Sequence, residues 1–300
     1  MRIGGLINSS APIDEVAADV QRLADAGLKS AWGSQVFGHD TLTLLALVGT
    51  RVPRIELGTA VVPVQPRHPA MLAGQAATVQ AAIGGRLALG VGLSHQVVVE
   101  GMWGLGFDRP AAYMREYLSV LVPMLEGQRI DFHGDLLTAV SGSLPQASVP
   151  TPVYVAALGP VMLKAAGELA AGTITWMTGT KTIGNHIVPR ISKAAAAAGR
   201  PAPRVVVGLP VCVTAEVTSA RERIDKALAI YPSLPSYRAM LDVEGAESAS
   251  DISLVGTEEQ VATGIERLAD AGTTDFTASV IGDAEEQERT WQLLSEIAGR

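Results

Sequence analysis

The sequence of 300 residues has little of several features on which whole classes of protein depend. It holds one cysteine, Cys212, so an intramolecular disulfide is excluded and a reducing compartment, the cytoplasm, is expected. No run of about 18 uncharged apolar residues occurs, so we expect no membrane span. The first eight residues lack a basic region followed by an apolar stretch, so we expect no signal peptide.

Aromatic and charged residues are also scarce, at 4% and 18%, whereas hydrophobic residues make up 48% of the chain. That balance excludes a disordered chain and supplies a large core of small aliphatic side chains. The net charge of −7 argues against a nucleic-acid partner, because nucleic-acid phosphates require a basic protein face.

A short apolar run, a loop and an amphipathic helix recur along the chain. Arg2–Ile7 is predicted as the first strand and Ile13–Ala26 as its helix, with Val16, Val20 and Leu23 on one helix face. Eight such units are typical of a (β/α)8 TIM barrel, an α/β fold, and we expect residues 1–300 to form one domain. The other predicted strands are Ser30–Trp32, Ile55–Val62, Leu87–Val91, Val153–Ala156, Thr173–Thr175, Arg204–Val213 and Asp275–Ile281.

Two segments interrupt this repeat and are predicted as insertions after strand 4 and after strand 7. The first holds a loop (His95–Asp108), a helix (Arg109–Glu126) and a hairpin (Arg129–Ala139), and the second covers Tyr231–Ser250. Insertions in barrels lie over the mouth, so we expect both to shape a substrate pocket. A doubly wound open sheet is the alternative fold, but the turn over Ile7–Ser10 has no glycine for a nucleotide phosphate.

Segments along strands three to six carry a family resemblance. They are Leu57–Pro63, Arg67–Pro69, Gly84–Gly92, Ala156–Pro160 and Gly172–Trp176. In this order they resemble the bacterial luciferase-like flavin and deazaflavin oxidoreductases, most of all the branch that uses the deazaflavin coenzyme F420. Members that use FMN share the same glycine patterns. The resemblance implies a TIM barrel that holds a tricyclic ring at its C-terminal mouth, and we expect a homodimer.

The resemblance also implies which residues surround the ring. It implies a cis peptide bond at Ala60–Val61, in strand three, against the ring face. Arg67 is expected to contact the anionic tail of the cofactor, and its alternative is a solvated residue in a loop. The helix start at Gly159–Pro160 is expected to hold an anion, and its alternative is an ordinary loop-to-helix junction. The expected cofactor-binding residues are Gln35, Thr59, Ala60, Val61, Pro63, Arg67, Gly92, Leu93, Ser94, Ala157, Leu158, Gly159, Trp176, Met177, Thr178 and Gly179.

The sequence departs from one family pattern at the position of a proton-transfer group. Relatives that oxidise sugar phosphates have an Asp-His pair after strand two, and the matching residues here, Gln35 and Val36, do not exchange a proton at neutral pH. His95 is the better candidate for a catalytic proton donor, and His39 is the second, with a loop or helix-capping role as its alternative. We therefore expect hydride transfer between F420 and a small organic substrate, with reduction of an activated double bond favoured.

Three other functions remain open at this point. A metal-dependent barrel hydrolase requires a His-x-His pair that the sequence lacks, so we expect no metal. A family member that uses FMN and oxygen would be a monooxygenase on the same fold. A barrel that binds a cofactor without catalysis is compatible with the missing Asp-His pair.

Overall fold

The computed structural model describes residues 1–35, 37–144 and 149–299. Its strands are β1 Arg2–Ile7, β2 Ser30–Gly33, β3 Glu56–Thr59, β4 Val62–Pro63, β5 Leu87–Gly92, β6 Ile130–His133, β7 Thr138–Ser141, β8 Val153–Ala156, β9 Gly172–Trp176, β10 Arg204–Val213, β11 Leu254–Gly256 and β12 Asp275–Val280. Its α-helices are α1 Ile13–Asp25, α2 Thr41–Arg51, α3 Pro69–Ala82, α4 Gln96–Val99, α5 Pro110–Leu125, α6 Pro160–Leu169, α7 Thr180–Thr182, α8 Val188–Ala197, α9 Val217–Ala227, α10 Pro235–Glu244, α11 Glu258–Asp270 and α12 Ala284–Ala298. A π-helical turn, Ile183–Ile187, joins α7 to α8, and 3-10 turns cover Tyr231–Ser233 and Ser250–Ile252.

Eight parallel strands close into a barrel, as the sequence predicts. The order around the barrel is β1, β2, β3, β5, β8, β9, β10 and β12, and β12 pairs again with β1. Helices lie between successive strands and pack their apolar faces on the barrel wall. The (β/α)8 TIM barrel is therefore confirmed, and both predicted insertions are present after its fourth and seventh strands.

The third predicted strand, Ile55–Val62, is interrupted in the structure. β3 ends at Thr59, β4 begins at Val62, and the Ala60–Val61 peptide bond between them is cis, as the resemblance implied. β3 pairs with the first half of β5, and β4 pairs with its second half. A Cβ built on Gly90 of β5 would overlap the carbonyl oxygen of Thr59, so glycine is required where the chains approach.

Helix starts follow the capping residues that the sequence offers. Asp40 accepts a hydrogen bond from the backbone N–H of Thr43 at 2.9 Å and begins α2. Thr257 and Gln260 form a capping box at the start of α11, and each side chain bonds the backbone N–H of the other residue. These local bonds fix the residues at which α2 and α11 begin.

The N-terminal end of the barrel is closed by a network of charges around Arg204. Its guanidinium donates to Asp275 at 2.5 Å, to Glu56 at 2.9 Å and to the hydroxyl of Tyr154 at 2.8 Å. Burial opposes the charge on Arg204, but the hydrogen bonds to the two carboxylates outweigh it and raise the pKa of Arg204. Because Asp275 is only 2% exposed, this network stabilises the end of the barrel opposite the mouth.

The two insertions are fixed to the barrel by different contacts. The β6–β7 hairpin is held by Glu116 of α5, which accepts from the backbone N–H groups of Asp135 and Leu136. The second insertion is followed by β11, a strand that the sequence did not predict and that pairs with the last residues of β10. No helix in the described part of the chain is long and apolar enough to cross a membrane.

Candidate active site at the barrel mouth

The floor of the mouth is made of small side chains. Leu6, Ala60 and Val61 are partly buried and pack on the side chains that fill the barrel, among them Trp32. A Cβ built on Gly92, at the end of β5, would lie 2.6 Å from Cγ2 of Val61. Gly92 therefore leaves a low apolar surface, which suits the face of a planar ring.

Beside this floor, the loops after β2 and β4 are tied together by polar contacts. The backbone N–H of Gln35 donates to the carbonyl of Val61 at 3.2 Å, and its side-chain oxygen accepts from Thr41 N at 3.1 Å and from Arg67 Nη2 at 3.2 Å. Arg67 also forms an ion pair with Asp40. A cavity of about 390 Å³ opens here and is lined by Gln35, Pro63, Pro66, Arg67 and Trp103.

The ion pair changes what is expected of Arg67. Burial alone would raise the pKa of Asp40, but hydrogen bonds from Thr43 and Arg67 outweigh it and hold that pKa below its usual value. Asp40 is therefore ionised at neutral pH and offsets the charge of Arg67. Arg67 lines the cavity as one half of an ion pair and not as a free cation, and its contact with the cofactor tail stays a prediction.

Two predicted site residues make structural contacts. Thr59 is fully buried, and its hydroxyl donates to Gly90 O at 2.7 Å and accepts from Gly90 N at 2.8 Å. His39 is exposed, and its Nε2 lies 3.1 Å from the carbonyl oxygen of Ala11, which favours the loop role over catalysis. Val36, the other residue at the Asp-His position, lies outside the described residues.

The end of β5 carries the predicted proton donor. Leu93 and Ser94 follow the strand, and Ser94 has a left-handed backbone with φ of 58° that turns the chain toward α4. His95 is half-buried, and this burial lowers the pKa of its imidazole below the ordinary 6.5. The imidazole is therefore mostly neutral at pH 7.

The loop between β8 and α6 presents an open helix start. Gly159 precedes α6 without a side-chain cap, and a Cβ built on it would meet nothing within 4 Å. Backbone N–H groups at such a helix start attract anions. The loop is held from outside by His186, whose Nε2 lies 2.7 Å from Leu158 O. Ala157 is buried and supports the loop from within.

The segment after β9 combines one partly exposed ring with buried neighbours. Trp176 packs over Gly208, and its indole N–H is buried. Met177 and Thr178 are each only 1% exposed, and the Thr178 hydroxyl bonds that of Thr175 at 2.7 Å. These two predicted residues are therefore buried below the protein surface, whereas Trp176 is partly exposed.

Four rings form an aromatic wall from the end of β5 to the end of β9. The ring of His95 lies 6.0 Å from that of Tyr237, Tyr237 lies 4.8 Å from Tyr231, and Tyr231 lies 6.2 Å from Trp176. Burial raises the pKa of Tyr237; it also raises that of Tyr231, which the Trp176 indole opposes in part. Both hydroxyls stay neutral at ordinary pH, so the wall is uncharged.

Sequence reasoning missed Glu244, at the end of α10. Its carboxylate accepts from Thr182 N at 2.8 Å, from the Thr182 hydroxyl at 2.8 Å and from Lys181 N at 3.1 Å. It lies beside Gly179, where a Cβ would overlap the carboxylate. Thr182 and Lys181 lie 62 and 63 positions before Glu244 in the chain, so no local pattern indicates the contact.

Within the described ranges, no cluster of three or more His, Cys, Asp or Glu residues could hold a metal ion.

Most of the chain matches a known family model and proteins with names. The family model described as luciferase-like monooxygenase matches residues 1–285. A Mycobacterium tuberculosis protein named as a coenzyme F420-dependent oxidoreductase is 27% identical over 273 residues, which cover 86% of this chain and 78% of that protein.

Two solved structures share the fold over nearly the whole chain. An F420-dependent secondary alcohol dehydrogenase in complex with an F420-acetone adduct has a TM-score of 0.81 at 18% identity, and the match covers 100% of this chain and 99% of that one. The second is the oxygenating constituent of 3,6-diketocamphane monooxygenase from Pseudomonas putida in complex with FMN. It has a TM-score of 0.77 at 16% identity, and the match covers 99% of this chain and 97% of that one.

Proposed function

We propose that this chain, which belongs to the luciferase-like monooxygenase family, is an oxidoreductase that uses coenzyme F420 at the barrel mouth to transfer a hydride to or from a small organic substrate. The contact between Gly92 and Val61 carries the proposal, because it leaves a flat apolar floor. The F420-dependent name of the Mycobacterium tuberculosis relative favours F420 over FMN.

The residues at the mouth fit a tricyclic ring with a polar, anionic tail. Ala60, Val61 and Gly92 would lie against the ring face, with Leu93, Ser94 and Trp176 at its edges. The open start of α6, at Leu158–Gly159, would hold the anionic part. Bound F420 supplies hydride chemistry at its ring. Remaining predicted residues act from the side or from below, namely Gln35, Thr59, Pro63, Arg67, Ala157, Met177, Thr178 and Gly179.

His95 is the proton-handling residue of the proposal. Reduction of a double bond adds a hydride to one atom and a proton to the other, and the imidazolium form of His95 donates that proton. Alcohol oxidation instead requires a base beside the hydroxyl group. Gln35 supplies none, because its side chain bonds Thr41 and Arg67 and has no titratable proton. The neutral imidazole of His95 would be the base for the reverse reaction. The lack of a base at Gln35 is the ground on which the proposal favours reduction of an activated double bond.

A turnover assay tests this function. Purified protein is mixed with reduced F420 and a panel of enones and imines, and oxidation of the coenzyme is followed by its absorbance. The proposal expects turnover with at least one compound. Conversion of an organic substrate only when reduced FMN and oxygen replace F420 would favour the monooxygenase alternative. Binding of F420 without turnover across the panel would favour a non-catalytic barrel.

We further propose a cytoplasmic homodimer that acts on a small molecule. Met71 of α3 and Val140 of β7 are 72% and 67% exposed, and the start of α3 contacts the β6–β7 hairpin through His68 and Thr138. A second copy would remove this apolar surface from water. The one cysteine of the chain, Cys212, is free and buried, which suits a reducing compartment. Light scattering would give twice the chain mass of 31.2 kDa.

A further inference from the structure

Glu244 occupies the start of the helical segment that follows β9. This segment runs from Thr180 through the π-helical turn to Ala197, so its first N–H groups form the positive end of a helix dipole. The Glu244 carboxylate accepts two of those N–H groups and the Thr182 hydroxyl. The helix start at this side of the mouth thus carries an anion that belongs to the protein.

The surrounding residues leave space for the Glu244 carboxylate and hydrogen-bond to Glu244. Gly179 has no Cβ, and any side chain there would overlap the Glu244 carboxyl group. Lys181 donates its Nζ to the backbone carbonyl of Glu244 at 3.0 Å, so this cation is engaged as well. On the other side of the mouth, Arg67 is paired with Asp40. Arg67 and Lys181 therefore each have a partner within the protein.

The helix that ends at Glu244, α10, also carries part of the aromatic wall. α10 holds Tyr237 near its first residue and Glu244 at its last, and Tyr231 precedes it in the same insertion. Anchoring Glu244 on α7 fixes α10, which in turn sets Tyr237 against His95 and Tyr231. The insertion thus brings uncharged rings and a negative carboxylate to one side of the mouth.

We propose that Glu244 is a specificity-determining residue that restricts the enzyme to uncharged substrates, planar unsaturated carbonyl compounds or imines, by repelling phosphate and carboxylate groups. This inference rests on the proposed function for its chemistry and narrows the substrate class. A substrate anion at this helix start would face the Glu244 charge, and like charges in close contact disfavour binding. A flat neutral ring would instead pack on the aromatic wall.

The first test uses the protein without cofactor and measures its melting temperature at increasing concentrations of inorganic phosphate. Glu244→Ala uncovers the N–H groups of Lys181 and Thr182 and the Thr182 hydroxyl. Phosphate should therefore raise the melting temperature of Glu244→Ala saturably and further than that of the wild type, in which Glu244 fills this helix start and the open start of α6 is the proposed anion site. Glu247→Ala is the matched control, because Glu247 is exposed, lies three residues away and makes its hydrogen bonds through backbone atoms. Equal responses of the wild type and Glu244→Ala would overturn the inference.

The second test compares a neutral cyclic enone with the same ring bearing a carboxylate, using reduced F420. The wild type should prefer the neutral compound, and Glu244→Gln should lower this preference in kcat/KM by at least about tenfold, mainly through KM. Glu244→Gln keeps a side-chain oxygen that can accept hydrogen bonds, so it covers the case in which Glu244→Ala does not fold. An unchanged preference in Glu244→Gln would contradict the role of Glu244. Absence of all turnover would contradict the proposed function, and the phosphate result would still decide the charge effect.

Discussion

Gly92 and Val61 are in contact at the floor of the mouth, and a Cβ on Gly92 would lie 2.6 Å from Cγ2 of Val61 and 3.2 Å from Cβ of Ala156. Val61 belongs to the cis peptide segment between β3 and β4, whereas Gly92 ends β5. The height of the floor under a bound ring is therefore set by two neighbouring strands at once.

Replacement of Gly92 by alanine should weaken cofactor binding. The added methyl group must push Val61 toward the ring or Ala156 aside, because a Cβ is not found 2.6 Å from a carbon atom to which it is not bonded. We expect the Kd for F420 to rise at least about tenfold, which corresponds to about 1.4 kcal/mol. Gly74→Ala in α3 is the control, because a Cβ there meets nothing within 4 Å. It should leave the Kd unchanged and stabilise the helix by about 0.5–1 kcal/mol.

The reduction rate should depend on pH through His95. Burial lowers the pKa of its imidazole below 6.5, so the imidazolium that donates the proton is populated below that pKa and lost above it. Above the pKa, kcat should fall about tenfold per pH unit wherever proton donation limits the rate. His95→Gln should be slower at low pH and lose this dependence. A wild-type profile that is flat between pH 5 and pH 8, or a His95→Gln profile that retains the limb, would exclude His95 as the donor.

Removal of Arg204 should destabilise the barrel far more than removal of a surface arginine. Arg204→Ala leaves Asp275, which is 2% exposed, with only the partly exposed Arg2 as a cationic partner. Breaking a buried ion pair costs about 3–5 kcal/mol. Arg51→Ala, which breaks the exposed pair with Asp14, should cost about 0–1 kcal/mol. Urea unfolding of both variants measures the difference, and similar midpoints would show that the network contributes little.

Much of the barrel follows from local signals in the sequence. The predicted bounds of β1, β8 and β10 agree with the structure, because runs of apolar residues bounded by turn residues act over a few positions. β11 was missed, since three residues after a 3-10 turn offer no periodicity. The strand-three interruption came from the family resemblance and not from the residues alone.

The site was harder to predict because its contacts join distant parts of the chain. The family resemblance, and not the residue types alone, indicated Ala60, Val61 and Gly92 as residues beside the ring. The contact of His186 with Leu158 depends on a π-helical turn for which the sequence has no signal. The ion pair of Arg67 with Asp40 likewise joins two loops, and only the fold shows that this cation has a partner.

Equilibrium titration of the purified protein with F420 and, separately, with FMN tests the central proposal most directly. Tryptophan fluorescence reports binding, because Trp176 lies at the edge of the floor and should be quenched by a bound ring. We predict saturable quenching by F420 at concentrations at least about tenfold below those required for FMN. We also predict that Gly92→Ala weakens the F420 response while Gly74→Ala does not. Tighter binding of FMN, or no saturable binding of F420, would contradict the account.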